Sequence, residues 1–466
     1  MSSPSDRGLI LSVNSGSSSL KISLFRVLSG EQSQDPVELI LESNTTSLTS
    51  PPAKFTFTIS SSSSSAPPPS SQIDSSEISA EEISDHKSAL AFFLKHLRES
   101  AGYNEKDIKK VCHRVVHGGD YRKPVVIDDE SYEHLEKLSD LAPLHNGNAL
   151  SVIRTTLEAL PHASSIAYFD TAFHSTIPPH ISTYMIDQNI AKNRGLRKYG
   201  FHGLSYAYIL RTVSEHLSKP QSQTSLIVLH LGSGASICAI KNGQSLDTSM
   251  GLTPVSGLPG ATRAGDVDGS MIFHYLARRG GEDDSGDDDD VGRMSHEKLQ
   301  GVEVHVTRAE EILNKQSGWK SLMGTTDFGT IVQRRNAALS SSESPSADQD
   351  LAVLAFNIFV DRILTFLGSY FVKLGGKVDA VVFAGGIGER SVEVRESVVK
   401  GVECLGFGID KGKNEDVQKK REEGGESVKV VDVSAEGARE KKVLVCWTDE
   451  QYEMARECTL EQSFWN

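Results

Sequence analysis

An apolar strand, a turn of small residues and a second apolar strand occur twice in this chain, and that repeat narrows the folds open to it. Leu9 to Val13 runs into NSGSSSLK and on into Ile22 to Val27. Ser225 to Leu231 runs into GSGAS and on into Ser236 to Lys241, with an Asn242-Gly243 turn and a further strand-like stretch behind it. Apolar runs joined by such turns read as neighbouring strands. Helical periodicity follows over His86 to Ala101, Asp129 to Ala142 and onward to Leu160, and over Leu351 to Leu374. Strands at Lys110 to Val116, Ser165 to Phe169, within GGKVDAVVF and at Val443 to Cys446 alternate with them, and a last helix starts near Thr448. Strands alternating with helices predict an α/β protein with mixed sheets. The repeat predicts two related lobes with a cleft between them. We place the boundaries at 1–170 with 447–466 for one lobe and 171–446 for the other.

Composition bounds what such a protein can do. Forty-eight Lys and Arg against 62 Asp and Glu give a formal charge of -14, which lacks the basic footprint of a nucleic-acid binder. Glu282, Asp283, Asp284 and Asp287 to Asp290 supply seven of those negative charges in one stretch, so the rest of the chain is only mildly acidic. Five scattered cysteines without CxxC spacing make neither a disulfide framework nor a zinc site. The start MSSPSDRGLI has no signal-peptide character, and a cytoplasmic location is expected. Leu351 to Leu374 is the longest apolar run, but Asn357, Asp361, Arg362 and Lys373 interrupt it. A membrane span would bury those charges at a cost of a few kcal/mol each, so a buried helix is expected and no membrane partner.

Three segments read as insertions. Residues 29–84 contain SSSSSSAPPPSSQ, which cannot bury enough apolar surface to offset its ordering entropy; a flexible insertion around a hairpin at Phe55 to Ile59 is expected. Residues 281–291 read as an acidic surface loop, and 411–439, polar and highly charged, as a second variable loop.

The small-residue turns carry the first chemical signal. NSGSSSLK offers backbone N–H groups, hydroxyls and Lys21 to phosphate oxygens, without the spacing of a Walker A loop. HLGSGAS and AGGIGE are two more turns after buried strands, and their glycines let a ligand approach the backbone. Arg114 lies in CHRVVHGGD, His145 in LAPLHN, His174 in DTAFH, His202 in YGFHG and Arg263 in GATRAGD. All of them stand where apolar segments end beside Gly or Pro, and strand ends line the ligand crevice of open α/β sheets. The arginines suit an anionic substrate or a transferring phosphoryl group. Asp170 and Glu450, each just after a strand, supply oxygen donors for magnesium. No GxSxG or HExxH is present. This inventory fits phosphoryl transfer without a covalent nucleophile and leaves the acceptor open.

Taken in order, NSGSSSLK, HRVVHGG, LAPLHN, FDTAFHSTIP, RKYGFHG, HLGSGASI, DTSMGLTP, ATRAGDVD, FAGGIGE and TDEQYEMAR resemble the acetate kinase family over nearly the whole chain outside the insertions, which look like those of a fungal member. The resemblance implies two ribonuclease-H-like (actin-like ATPase) lobes with an interlobe cleft, usually as a homodimer, and reversible in-line transfer between MgATP and acetate to give acetyl phosphate and ADP, with manganese an alternative metal. It implies that Arg114 and Arg263 bind acetate and stabilise the transferring phosphoryl group. His202 and His145 are implied as active-site histidines and Asp170 as the catalytic aspartate, with Asn14 and Glu450 organising the metal. Ser17, Ser19 and Lys21 fall in the first phosphate turn, His230, Gly232, Ser233 and Gly234 in the second. Asp327, Phe328, Gly386 and Ile387 match an adenosine pocket, and Val116, Leu144, Phe201 and Pro254 a pocket for the acetate methyl. An enzyme that makes or consumes acetyl phosphate is the expected metabolic partner.

Three positions depart from the family pattern, all on the nucleotide side. Ser233 replaces an Asn, Gly329 in TTDFGT replaces an Arg, and GIGEN reads GIGER with Arg390. Competing readings are a propionate or butyrate kinase, a pyrophosphate-linked acetate kinase, a non-catalytic actin-like ATP-binding protein and a metabolic sensor.

Overall fold

β1 (Leu9–Ser15) and β2 (Leu20–Val27) pair antiparallel, Ser15 opposite Leu20, so the small-residue turn closes a tight hairpin. The computed structural model describes residues 8–16, 18–28, 35–48, 52–60, 78–138, 143–276, 294–299, 302–342, 344–437 and 441–465, without the side chains of 78–79, 143–145, 276, 294–306 and 426. Ser17, the tract 61–77, nearly all of the acidic segment, and the side chains of Leu144 and His145 therefore lie outside the described residues. The chain divides into two units, residues 1–172 with 296–305 and 449–466, and residues 173–295 with 306–448.

In the first unit β3 (Val37–Thr46), β4 (Ala53–Ile59) and β5 (Ile78–Ala80) continue the antiparallel meander outward from β2. On the other side β6 (Ile108–Val115) lies parallel to β1, β8 (Ser164–Phe169) lies parallel to β6, and the short β7 (Val125–Val126) closes the edge antiparallel to β8. The sheet order is β5-β4-β3-β2-β1-β6-β8-β7. Helix α1 (His86–Glu99) starts at a capping box in which Asp85 accepts from Ser88 N, and α2 (Asp129–Leu138) and α3 (Pro143–Ala159) follow. The C-terminal helix Glu450–Leu460, capped by Asp449, also belongs to this unit.

The flexible-insertion reading of 29–84 is corrected here for Val37–Thr46, while the strand pairing expected at Phe55 to Ile59 is present as β4. Phe55 and Phe57 are buried, and Phe55 meets Phe92 of α1 edge-on at 4.8 Å. The alternation in FTFTI turns one face of β4 onto the core and the other to solvent, which anchors a segment whose flanks are polar.

The second unit repeats the plan. Helix α4 (Gly203–His216) precedes β9 (Leu226–Leu231), β10 (Ala235–Lys241) and β11 (Gln244–Thr248), again an antiparallel meander. Next in the chain is a separate ribbon, β12 (Met294–Leu299) and β13 (Val302–Thr307), most of which groups with the first unit. After α5 (Phe328–Ser340) and α6 (Ala347–Lys373) comes β14 (Ala380–Ala384), parallel to β9, and then α7 (Gly385–Arg390) and α8 (Val392–Gly401). Short helices α9 (Lys411–Glu415) and α10 (Val417–Gly424) lead to β15 (Val430–Asp432), which runs antiparallel to β16 (Lys442–Cys446). β16 lies parallel to β14, and the order is β11-β10-β9-β14-β16-β15. Leaving out β4 and β5, the two sheets share strand order and sense throughout. Each is the ribonuclease-H-like sheet of the actin-like ATPases, flanked by helices.

α6 is long and apolar enough to cross a membrane, but Ala352, Phe356, Phe359, Ile363 and Leu367 recur at helical spacing and are buried in the core of the second unit. Burying each large side chain there contributes ~1.5–3 kcal/mol. The variable-loop reading of 411–439 is also corrected: Val417, Val431 and Val433 enter that core, and Asn414 binds the guanidinium of Arg395. Arg395 is fully buried, and among the described residues its guanidinium has no carboxylate hydrogen-bond partner. It donates to Asn414 Oδ1 (2.6 Å) and to the carbonyls of Asn414, Gly388 and Glu389. Burial lowers its pKa to about 10 against the opposing charge of Glu393, so it stays charged at neutral pH and its hydrogen bonds go to neutral oxygens.

Arg395→Leu strands those acceptors and is expected to destabilise the protein by about 3 kcal/mol, read from urea unfolding; a change near zero would show that the arginine is not a staple. Two buried histidines set an acid limit. His113, bonded to Ser165 Oγ, and His174 have pKa values lowered by burial from 6.5 to about 3 and about 4. The unfolded chain therefore binds protons that the native one refuses, and stability present above pH ~6.5 is lost as pH falls towards 4. His113→Gln should flatten this dependence in unfolding midpoints taken between pH 7 and pH 4.

Candidate active site

In the first unit the parallel strands β1, β6 and β8 end side by side, and the register fixes who meets whom. Val13 lies opposite His113 and Val115 opposite Phe169, which puts Arg114 between Asn14 and Asp170. Arg114 Nε and Nη2 donate to Asp170 Oδ1 (3.2 Å) and Oδ2 (2.7 Å), and Nη1 donates to Asn14 Oδ1 (3.2 Å). Asn14 Nδ2 donates to Glu450 Oε2 (2.9 Å), which is also 3.3 Å from Arg114 Nε. Asp170 is 1% exposed and Arg114 18%, and the two carboxylates hold the guanidinium charged over the whole pH range despite its burial. Three of its five N–H groups are engaged in these bonds. Two are left, by count among the described residues, for an oxygen anion. Glu450 reaches this cluster because it is the first residue of the C-terminal helix, whose Gln451 is tied to β1 and β2 through Ser12 Oγ and Ser23 Oγ.

The first phosphate turn is shaped by Gly16. A Cβ there would lie 2.7 Å from Ser19 Oγ, and its N–H donates to Ser19 O. Lys21 is exposed and is the cross-strand partner of Asn14. Two residues that the sequence did not single out support this end of the sheet. His86, at the start of α1, bonds Gly16 O through Nε2 (2.9 Å). Asn146, buried in α3, accepts from His117 N and donates to His117 O. Val116 is half-buried beside them in the chain.

In the second unit the parallel strands β9 and β14 likewise end side by side, His230 opposite Ala384, so the HLGSGAS and AGGIGE turns emerge at one end of the sheet. Gly385 has a φ of 72°, and a Cβ there would strike Leu231 O at 2.7 Å; Gly386 is exposed, Ile387 half-buried and Ser233 at an exposed tip. Ala261 N donates to Ser233 O (2.8 Å), tying the segment of Arg263 to that turn. A Cβ on Gly234 would stand 3.1 Å from Arg263 Nη2, so the glycine leaves the guanidinium its place. Arg263 Nη1 donates to the carbonyl of the buried Pro254 (3.3 Å). His202 caps α4 after the buried Phe201, whose carbonyl is bonded by His174 Nε2 (2.9 Å). The rings of His202 and His230 are 4.3 Å apart.

The residues matched to an adenosine pocket come from two segments of the second unit, with Phe328 in its core and Ile387 packed against that core. Gly386 and Ile387 reach the glycine turn, whereas Asp327 caps α5, accepting from Gly329 N and Thr330 N. Those bonds and the Thr330 hydroxyl hold its carboxyl below the usual range. The Phe328 ring is core, 5.1 Å from Trp319 and 4.9 Å from Phe359.

Residues 9–456 match the acetokinase family. A probable acetate kinase of Neurospora crassa is 46% identical over 472 aligned residues, covering 98% of this chain and 95% of that one. The crystal structure of Porphyromonas gingivalis acetate kinase superposes with a TM-score of 0.74 at 29% identity, over 98% of this chain and all of that one. A propionate kinase from Francisella tularensis gives 0.75 at 30% identity, over 97% and 98%. With two repeated sheets, the Asn14–Arg114–Asp170–Glu450 cluster and the paired glycine turns, the chain belongs to the acetokinase family.

Proposed function

We propose that the protein is an acetate kinase, transferring a phosphoryl group reversibly between ATP and acetate to give ADP and acetyl phosphate. The observation that carries this is Arg114, held by both oxygens of Asp170 with N–H groups to spare. Pinned in this way, a guanidinium binds a carboxylate through parallel N–H bonds and stabilises charge on phosphoryl oxygens. It need not reorganise as that charge develops. In the second unit Arg263 serves the same electrostatic end, and His202 donates to the transferring group. His145 is assigned an active-site histidine role from the family motif. The glycine turns at the ends of β9 and β14, with Ser17, Ser19 and Lys21 of the first turn, are assigned to the phosphates of the nucleotide. Val116, Leu144, Phe201 and Pro254 are assigned to the acetate methyl.

Magnesium fits the donors present. Asn14, Asp170 and Glu450 offer oxygen only, and no group of three His, Cys, Asp or Glu poised for a metal occurs among the described residues. Such a set suits an ion that keeps its waters and takes one or two carboxylates with substrate phosphate. Asn14 and Glu450 would hold it, Asp170 orienting a water, and the ion would neutralise charge on the phosphate oxygens. Five cysteines free of disulfides suit a reducing cytoplasm. The exposed Met185, Ile186 and Ile190 offer a second copy an apolar face for a homodimer. Acetyl phosphate, an energy-rich anhydride, calls for an enzyme that supplies or consumes it.

A propionate reading has one observation behind it, the likeness to a propionate kinase. An additional methylene shifts selectivity by only ~1–3 kcal/mol, so propionate is expected as a slower substrate, with kcat/KM about 10- to 100-fold below that of acetate. The reverse ranking would reassign the acceptor. Acetate, ATP and magnesium should yield hydroxylamine-trapped acetyl phosphate. Product only from pyrophosphate chemistry would overturn the nucleotide assignment, and none with any donor would overturn the enzyme. Arg263→Ala should lower kcat by about 10²- to 10³-fold with an unchanged melting temperature; near-normal turnover would remove its role.

A further inference from the structure

His202 is placed by more than its own helix. It caps α4 with a φ of 60°, in the left-handed region that side-chain-bearing residues seldom adopt. Its Nδ1 lies 2.8 Å from Ser236 Oγ, and Ser236 Oγ lies 2.5 Å from the hydroxyl of Tyr206. Ser236 and Tyr206 are both 0% exposed. Two elementary regularities assemble this row. Tyr206 stands one helical turn beyond His202, its N–H bonded to His202 O at 3.0 Å, so the two side chains leave the same edge of α4. Ser236 is directly opposite His230 in the β9–β10 register, and the His230 ring is the one packed on His202.

What each group can give lets the row run in either direction. A serine hydroxyl has one proton and two lone pairs, a phenol is the more acidic donor, and a neutral imidazole has one donor and one acceptor nitrogen. The greater acidity of the phenol favours the order in which Tyr206 O–H donates to Ser236 Oγ, the Ser236 proton goes to His202 Nδ1, and the imidazole proton is left on Nε2. We infer that Ser236 and Tyr206 are positioning residues that fix the ring of His202 and hold it as the Nε2–H tautomer, a donor towards the transferring phosphoryl oxygens. This rests on the phosphoryl-transfer reading of the site. Neither residue touches substrate; both act through His202. Because Ser236 is sealed from solvent, water does not replace its hydroxyl when it is removed.

The test combines kinetics with a direct reading of the tautomer. Full-length protein labelled with 15N-histidine is compared with His202→Gln to assign the His202 imidazole nitrogens. The expected spectrum shows a protonated Nε2 and an unprotonated Nδ1. In Ser236→Ala the tautomers mix and kcat falls by about 10- to 100-fold, the usual cost of losing an orienting partner, while KM for acetate and for ATP stays put. Ser236→Thr, which keeps the hydroxyl, restores most of kcat. Tyr206→Phe, which keeps the packing and lets the serine proton turn away, gives a smaller loss of the same kind. A wild-type spectrum with the proton on Nδ1 overturns the inference. So does Ser236→Ala with wild-type kcat, or a loss that Ser236→Thr fails to rescue. If the wild-type protein forms no acetyl phosphate, the functional reading fails, and the 15N spectrum still decides the tautomer by itself.

Discussion

Everything chemical in this protein depends on parallel strand pairing within two buried trios, β1–β6–β8 and β9–β14–β16. Parallel neighbours in fixed register deliver their last residues to the same edge of the sheet. Asn14, Arg114 and Asp170 are therefore side by side although 100 and 56 residues separate them in pairs. The same rule brings the glycine turns after Leu231 and Ala384 together in the second unit. A one-residue slip in either trio would turn these side chains to the opposite face. The near-total burial of Val111, Val115, Ile166 and Phe169, and of Val228, Val382 and Leu444, is what makes such a slip prohibitive.

Charge in these sheets is tolerated only where it is answered. Arg114 has two carboxylates and an amide, Asp247 has Lys198 and Lys373, and Arg395 has carbonyl oxygens and Asn414. Of the two arginines, Arg395 uses four of its five N–H groups and Arg114 three, by count among the described residues, and Arg114 is the arginine that stands at a strand end among the family's motif residues. A buried arginine bonded as fully as Arg395 is a staple. One with two N–H groups unspent is preorganised to meet an anion. The same motif classes thus sort into structure and chemistry by how completely their hydrogen bonds are used.

Strands and turns were legible because their signals are local: apolar runs of five to eight residues stopped by Gly, Ser or Asn. The site residues at strand ends were legible for the same reason, each standing beside a break in the pattern. Supports were not. His86 and Tyr206 lie in helices with nothing in their neighbours to distinguish them, and Asn146 and Ser236 lie inside motifs, LAPLHN and HLGSGAS, that drew notice for other residues. Their partners lie 70, 30, 29 and 34 residues away, and only the folded register shows the pairing. The two segments misread as loops failed for another reason. In 411–439 three valines are buried in the core while charged residues dominate the composition, so an average over the segment hides Val417, Val431 and Val433. In 29–84 the serine-rich flanks masked the strand in VELILES, although the alternation of FTFTI stood out.

The three departures from the family pattern act on side-chain reach and leave the backbone cradle in place. Ser233 is held through its carbonyl, which accepts from Ala261 N, so exchanging its side chain does not move the turn. Gly385 is irreplaceable for steric reasons, by Leu231 O and a positive φ, whereas a Cβ on Gly234 would ask the Arg263 guanidinium to give by a few tenths of an ångström; both glycines are retained. Gly329 occupies the first turn of α5, where its N–H serves Asp327 and a Cβ would crowd that carboxylate at 3.2 Å. The helix start is thus well made without a side chain at that position. Arg390 is exposed at the end of α7, on the far side of the helix start from the glycine that shapes the turn. Backbone N–H groups and glycine geometry recognise phosphate without regard to which side chains surround them. Variation confined to Ser233, Gly329 and Arg390 therefore leaves the backbone of the turns unchanged, while Arg114 keeps its bonds to Asp170 and Ala261 keeps the Arg263 segment tied to the turn at Ser233.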